Sequence, residues 1–266
     1  MASWLPEWDG AGYAANTSHH RRYDEDFLRS TPLRPDARVL DLGCGPGDFT
    51  VRLAEQVPAG HVVGLDPQPS MLELARALAR PNQSFVLGTA QRLGELTGPF
   101  DAIVSRAVLH WIPIAEHPAV LAAAAGLLAP GGLLRIEAGG GDNVREPVRW
   151  LDEISARHGG PRSPWSFPQA GEYLDLVLAA GFDVREGWVR LAAQRREFDR
   201  DAFVGWVTSQ ALHAYTHTMA EPAAAAFRAE ALAGVDRMRH RDGSYDMTWV
   251  RLDVRAFRPN SRQVPK

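Results

Sequence analysis

A short β-like run, Arg38-Val39-Leu40-Asp41-Leu42, opens directly into a glycine cluster, Gly43-Cys44-Gly45-Pro46-Gly47. Apolar residues at helical spacing then follow from Phe49 to Val57. This feature constrains the fold most, because the unit recurs. Val62-Val63-Gly64-Leu65 reads as a strand ended by Asp66, and Ser70 is placed to cap a helix over Met71 to Ala79. Ser84 to Leu87 and Phe100 to Ser105 give a third and a fourth strand. Pro118 to Leu128 is a helix, and Leu133 to Ala138 is a fifth strand after Pro130-Gly131-Gly132. Strands that alternate with helices at this spacing require a parallel sheet covered on both faces. Ligands of such sheets sit outside the C-terminal strand ends, where the strand order reverses. The functional residues are therefore expected near Asp41, Asp66, Gly88, Ser105 and Ala138.

Past Gly139 the pattern loosens, and Gly139 to Phe167 is rich in Gly, Pro and charge. Pro168 to Ala180 reads as a helix ended by Gly181, and Phe182 to Leu191 as a strand. Ala202 to Met238 is mostly helical, Asp242-Gly243 is a turn, and Tyr245 to Phe257 is a final strand. Before the sheet, His19 to Arg29 has the character of a helix stopped by Pro32 and Pro35.

Residue counts exclude whole classes of chemistry. The 29 basic side chains include a single lysine, Lys266, which leaves no internal lysine for a Schiff base, a Walker A loop or a kinase-type ATP site. One cysteine, Cys44, precludes an intramolecular disulfide and any Cys-rich metal centre. A net charge of −3 gives no reason to expect nucleic acid or an anionic membrane as partner. No apolar stretch is long enough to span a bilayer, and the N-terminal residues lack the pattern of a secretory signal, so the expectation is a cytoplasmic protein.

The glycine loop narrows the ligand. Its glycines stand at every second position, with Asp48 or Phe49 where a dinucleotide fingerprint needs its third glycine. An acid precedes the first glycine by two residues. A phosphate-free ligand with an amino-acid end suits that loop better than a pyrophosphate, although an NAD-linked oxidoreductase stays open on the residues alone. His213 and His217 stand i, i+4 on a predicted helix, a spacing able to hold zinc, but no third ligand is evident and no metal is expected.

Asp41-Leu42-Gly43-Cys44-Gly45-Pro46-Gly47 after a strand resembles motif I of the class I S-adenosylmethionine-dependent methyltransferases. Asp66, followed by Pro67 and by Met71-Leu72, resembles the same family's second motif. The resemblance covers residues 36 to 138 well and the rest in outline. It implies a Rossmann-like α/β fold: a seven-stranded, mostly parallel sheet with its last strand antiparallel, plus an N-terminal segment and helical lid insertions. Along the chain it implies one methyltransferase domain over residues 1–266. An N-terminal cover spans 1–35 and a cofactor core 36–138. Lid or substrate insertions span 139–181 and 198–242, and the final strand spans 243–258.

The cofactor implied is S-adenosylmethionine. Asp41, Gly43, Cys44, Gly45, Gly47, Asp66, Pro67 and Met71 are its candidate binding residues, with Asp66 on the ribose hydroxyls. Thr89, Ala90 and Gln91 stand where the family contacts adenine, with Thr89 in place of the usual acid. Ser105 and the segment to Trp111 resemble the part that lines the methionine end.

Trp8, Tyr13, Arg21 and Arg22, the Leu109-His110-Trp111-Ile112-Pro113 stretch and the Phe203 to Thr208 stretch resemble the trans-aconitate methyltransferase branch, which methylates small carboxylic acids. The acceptor implied is a small carboxylic acid or natural-product intermediate, with Arg106 as a candidate clamp for its carboxylate. The alternatives are O-, N- or C-methylation of a larger apolar metabolite with His110 as general base, or a non-catalytic S-adenosylmethionine-binding protein. Trp4, Trp8, Tyr13, Trp165 and Trp206 are candidate walls of an apolar pocket, with core packing an equal reading; His19 and His20 are candidates to turn inward from the cover.

Overall fold

The computed structural model describes residues 24–260. The N-terminal positions singled out above, from Trp4 to Arg22, lie outside the described residues. Seven strands form one sheet: β1 (Arg38–Leu42), β2 (His61–Asp66), β3 (Gln83–Leu87), β4 (Phe100–Arg106), β5 (Leu128–Gly139), β6 (Asp183–Arg196) and β7 (Met247–Phe257). Their order is β3-β2-β1-β4-β5-β7-β6. β1 to β5 are parallel, and β7 runs antiparallel to both β5 and β6, as the resemblance implies. The order reverses between β1 and β4. Leu42 there pairs with Leu65 on one side and Ser105 on the other, so three strand ends open at one level.

The period-two alternation of β1 sorts its side chains between two cores. Leu40 and Leu42 join Leu65, Ile103 and Val254 beneath α4 (His117–Leu127) and α6 (Ala170–Ala179). Val39 faces the other way, with Val62, Ala102 and Val104. That side is covered by Phe27 of α1 (Asp24–Arg29) and by Leu53 and Ala54 of α2 (Asp48–Gln56). α3 (Pro69–Ala77) follows β2 and buries Met71, Leu72 and Ala75.

A third apolar cluster stands apart from the sheet faces. Trp150, Leu151 and Ile154 of α5 (Arg145–Arg157) meet Phe203 and Trp206 of α7 (Arg200–Trp206) there. Leu212 and Tyr215 of α8 (Leu212–Thr216), Phe227 of α9 (Glu221–Gly234), Tyr245 and Met247 complete it. Between α7 and α8, Val207–Ala211 forms a π-helical turn, so one helical rod carries a bulge. Among the described residues, no helix is long and apolar enough to cross a membrane.

Three local readings are corrected. The region from Gly139 to Phe167 contains α5, whose buried Pro147, Trp150, Leu151 and Ile154 recur at helical spacing, a periodicity overlooked among the flanking Gly, Pro and charged residues. Ser70 is not a cap, because α3 starts at Pro69 with Gln68 before it, and proline suits the first helical turn. β5 begins before Pro130-Gly131-Gly132, and its pairing with β4 slips there, between Phe100 and Ala102.

Gly47 shows why the loop needs its last glycine. Its φ is +87°, and an added Cβ would lie 2.9 Å from Cα of Ala75 in α3. Gly47→Ala is therefore expected to cost about 1–3 kcal/mol in urea unfolding. Gly126→Ala, in α4 with nothing within 4 Å of the added carbon, should be neutral or stabilising. Equal stability of the two variants would overturn the packing account.

Candidate active site

The cleft begins where β1 ends. Gly43, Gly45 and Gly47 all have positive φ, and the N–H groups of Gly43 and Cys44 both donate to the Leu65 carbonyl, at 2.7 and 3.0 Å. That stitches the loop to the end of β2. A Cβ on Gly43 would lie 2.1 Å from Cγ2 of Val108, so the loop also fits closely against the segment after β4. Gly45 has nothing within 4 Å of its added carbon, and its backbone lines the open cleft. Asp66, at the end of β2, accepts from Gly45 N on one oxygen and from Gln68 N on the other, both at 2.9 Å. Burial raises its pKa above the ordinary carboxylate value, opposed by those two N–H groups.

Beside Asp66, the cleft is lined by Pro67, Gln68 and Met71, with Ala107 and Val108 opposite. It continues past Leu65 to Thr89, Ala90 and Gln91. Gln91 donates to Glu116 at 2.7 Å, so its amide already has a partner. In the other direction lie Asp41, Cys44, Pro46, Asp48 and Phe49. Asp41 is buried on the α2 face and accepts from the Thr50 hydroxyl at 2.7 Å. Burial pushes its pKa up to about 6, with the Thr50 bond and Arg106 opposing. Burial likewise pushes the Cys44 thiol up, so it is no thiolate nucleophile.

The structure thus gathers Asp41, Gly43, Cys44, Gly45, Asp66, Pro67, Met71, Thr89, Ala90 and Gln91 along one cleft. Two expected residues stand elsewhere. Gly47 serves helix packing, and Ser105 is buried with its hydroxyl donating to the Leu42 carbonyl at 3.0 Å, pinning β4 to β1. Ala107 takes the lining position instead, at φ 58°, uncommon for a residue with a Cβ. Its N–H donates to the Glu137 carbonyl at 2.7 Å and holds it there.

Arg106 is not a ready clamp. It lies over the rings of Phe27 and Phe49, 4.9 and 4.7 Å from their centroids, and the two rings meet each other edge-on at 5.6 Å. Its guanidinium pairs with Asp24 and, at 3.3 Å, with Glu137. Glu137 pairs in turn with Arg251, and Asp24 with Arg52 at 3.0 Å. The result is a ladder of alternating charge that joins α1 and α2 to β4, β5 and β7.

His110 is not built as a base either. The N–H of Gly139 donates to its Nδ1 at 3.1 Å. A backbone N–H can only donate, so Nδ1 is the acceptor nitrogen and the neutral ring carries its proton on Nε2. Burial, with His117 nearby, lowers its pKa to about 3. The ring is thus a neutral hydrogen-bond donor at physiological pH, set where two cavities meet. His213 is stacked on Trp111 with ring centroids 5.4 Å apart, and burial lowers its pKa to about 4. Among the described residues no group of three His, Cys, Asp or Glu side chains is placed to hold a metal.

The second cavity shares Ala107, His110, Asn143 and Trp249 with the cleft. Trp111, Trp165, Phe167 and Trp206 form its other ring walls, and Gln210 joins them from the π-helical turn. Trp165 and Trp206 were candidates from the sequence. Phe167, Trp249, Asn143 and Gln210 were not; an aromatic-rich second half was the advance signal for Phe167 and Trp249, and Asn143 and Gln210 had none.

The cleft suits S-adenosylmethionine on its own geometry. The backbone at Gly45 is open to close approach, Asp66 is a pre-anchored acceptor for vicinal hydroxyls, and the strip from Leu65 to Gln91 is apolar enough for a flat base.

A family model described as a methyltransferase domain matches residues 39–132. The chain is 33% identical to a trans-aconitate 2-methyltransferase of Methylobacterium radiotolerans, over 79% of this chain and 82% of that protein. It is 34% identical to one from Azoarcus sp., over 87% of this chain and 90% of that protein. Among solved structures, the YcgJ protein of Bacillus subtilis shares the fold, with a TM-score of 0.62 over 91% of this chain and 100% of that one, at 16% identity. From the cleft, the two motifs and these full-length relatives together, the chain belongs to the class I S-adenosylmethionine-dependent methyltransferases, as an enzyme of the branch that holds the trans-aconitate 2-methyltransferases.

Proposed function

We propose that the chain methylates a carboxylate oxygen of a small organic acid. S-adenosylmethionine, when bound, supplies a methyl group on a sulfonium whose sulfur leaves without help from the protein. The chain's residues are then left with alignment, exclusion of water and the ionisation state of the acceptor.

One observation carries the reading: the polar group at the junction of the two cavities, His110, is a hydrogen-bond donor and not a base. A hydroxyl or amine acceptor usually benefits from a base, whereas a carboxylate is ionised at neutral pH and attacks unaided. His110 Nε2–H is a donor suited to fixing one carboxylate oxygen so that the other faces the methyl group. The cleft residues from Asp41 to Gln91 hold the cofactor in this reading. Residues 139–181 and 198–242 supply the acceptor side. The relatives named trans-aconitate 2-methyltransferase are, by that name, enzymes of a small organic acid.

The test is the chemistry of the product. A methyl ester releases methanol in mild alkali, and an ether or methylamine does not. kcat/KM should be flat from about pH 7 to about pH 9, above the titration of Asp41 near 6, because neither His110 nor an ordinary carboxylate titrates there. A rate that climbs with pH, or a product stable to alkali, would overturn the proposal. His110→Phe should raise KM more than it lowers kcat, since it removes a positioning donor.

A further inference from the structure

We infer that the acceptor acid is a planar, largely apolar monocarboxylic acid, not a polycarboxylate. This rests on the methyl-ester reading above. The cavity beyond His110 is walled by five aromatic rings, Trp111, Trp165, Phe167, Trp206 and Trp249, and among the described residues none that lines it is Asp, Glu, Lys or Arg.

The rings lock one another in place. Trp111 meets Trp165 edge-on at 5.4 Å, Trp165 stacks on Phe167 at 6.0 Å, and Trp206 meets Trp249 edge-on at 6.1 Å. Interlocked rings make flat, stiff walls that favour a flat guest.

Charge argues the same way. Buried carboxylates need paired cations or several hydrogen bonds. Among the described residues, the guanidinium groups of Arg106 and Arg251 lie in the neighbouring cleft, where Glu137 pairs with both, and that of Arg196 stacks on Trp249, 4.7 Å from its ring centroid, without lining the cavity. The neutral donors at the mouth suffice for one carboxylate: His110 Nε2–H, and the Asn143 amide, whose oxygen already accepts from Val250 N at 2.9 Å. Among the described residues, a second or third carboxylate carried deeper would meet ring faces, Val144 and the Gln210 amide, and no cation lining the space.

The experiment uses the full chain with cinnamate, trans-aconitate and cinnamyl alcohol. Binding is read from quenching of tryptophan fluorescence in the presence of S-adenosylhomocysteine, and product by mass spectrometry before and after alkali. Cinnamate should bind at least tenfold tighter than trans-aconitate and give an alkali-labile methyl ester. Gln210→Arg, which adds a cation to the wall, should move the preference at least tenfold toward trans-aconitate. Phe167→Ala should weaken cinnamate at least tenfold without changing S-adenosylhomocysteine affinity. Tighter binding and esterification of trans-aconitate by the unmodified chain would overturn the inference and leave the ester chemistry standing. Methylation of cinnamyl alcohol but not cinnamate would overturn the ester reading and, with it, this inference. Binding of none of the three would overturn the inference.

Discussion

Asp66→Ala should lower the affinity for S-adenosylhomocysteine at least tenfold in calorimetry. On the family resemblance this carboxylate grips both ribose hydroxyls, and each charge-assisted hydrogen bond is worth about 1.5–3 kcal/mol. The structure adds a second contribution. Both carboxylate oxygens are anchored by Gly45 N and Gln68 N, so the substitution also releases the two N–H groups that shape the cleft. Because burial raises the pKa of this acid, affinity should weaken as pH falls toward that raised value, and the variant should lack this pH dependence. Unchanged affinity in a folded variant would remove Asp66 from the site.

The second large effect is on stability. Asp41 has a native pKa of about 6, above the ordinary value of 3.8. The native state therefore binds its proton at higher pH than the unfolded chain does. The linked stability is fully present below the unfolded value and is lost as pH rises through the native one. From about pH 4 to about pH 7 the loss should be roughly 2–3 kcal/mol, at about 1.4 kcal/mol per pKa unit. Asp41→Asn keeps an oxygen for the Thr50 hydroxyl and carries no charge. Urea titrations should show the variant gaining that amount on the parent across the window. A pH-independent difference would mean that Asp41 is not the group that titrates. A buried carboxylate kept ionised beside a ligand cleft, against the stability of the fold, has the character of a functional group.

The first half of the chain was legible because its signals are local. Val39 and Leu40 alternate between two cores, the glycines mark the turn, and Asp66 ends the next strand, all within one β-α-β stretch. The acceptor side was not legible, because long-range contacts decide it. The tautomer of His110 is set by an N–H 29 residues away. The fate of Arg106 depends on Asp24 and Glu137, which only the sheet order brings to it. Trp249 reaches the cavity from β7, and Phe167 from the chain before α6. No spacing rule connects such positions.

The separation of the third apolar cluster from the two sheet cores has an evolutionary consequence. The methyl-donor cleft is written mainly in backbone turns at the ends of β1, β2 and β4, where few changes are tolerated. The aromatic walls belong largely to α7, the chain between α5 and α6, and β7, which pack among themselves. Apart from Trp249, which lines both cavities, substitutions there are absorbed by neighbours that take no part in holding the donor. A lineage can thus exchange one acceptor for another by drift within that cluster while its methyl-donor half stays recognisable, and relatives sharing a third of their residues need not share a substrate.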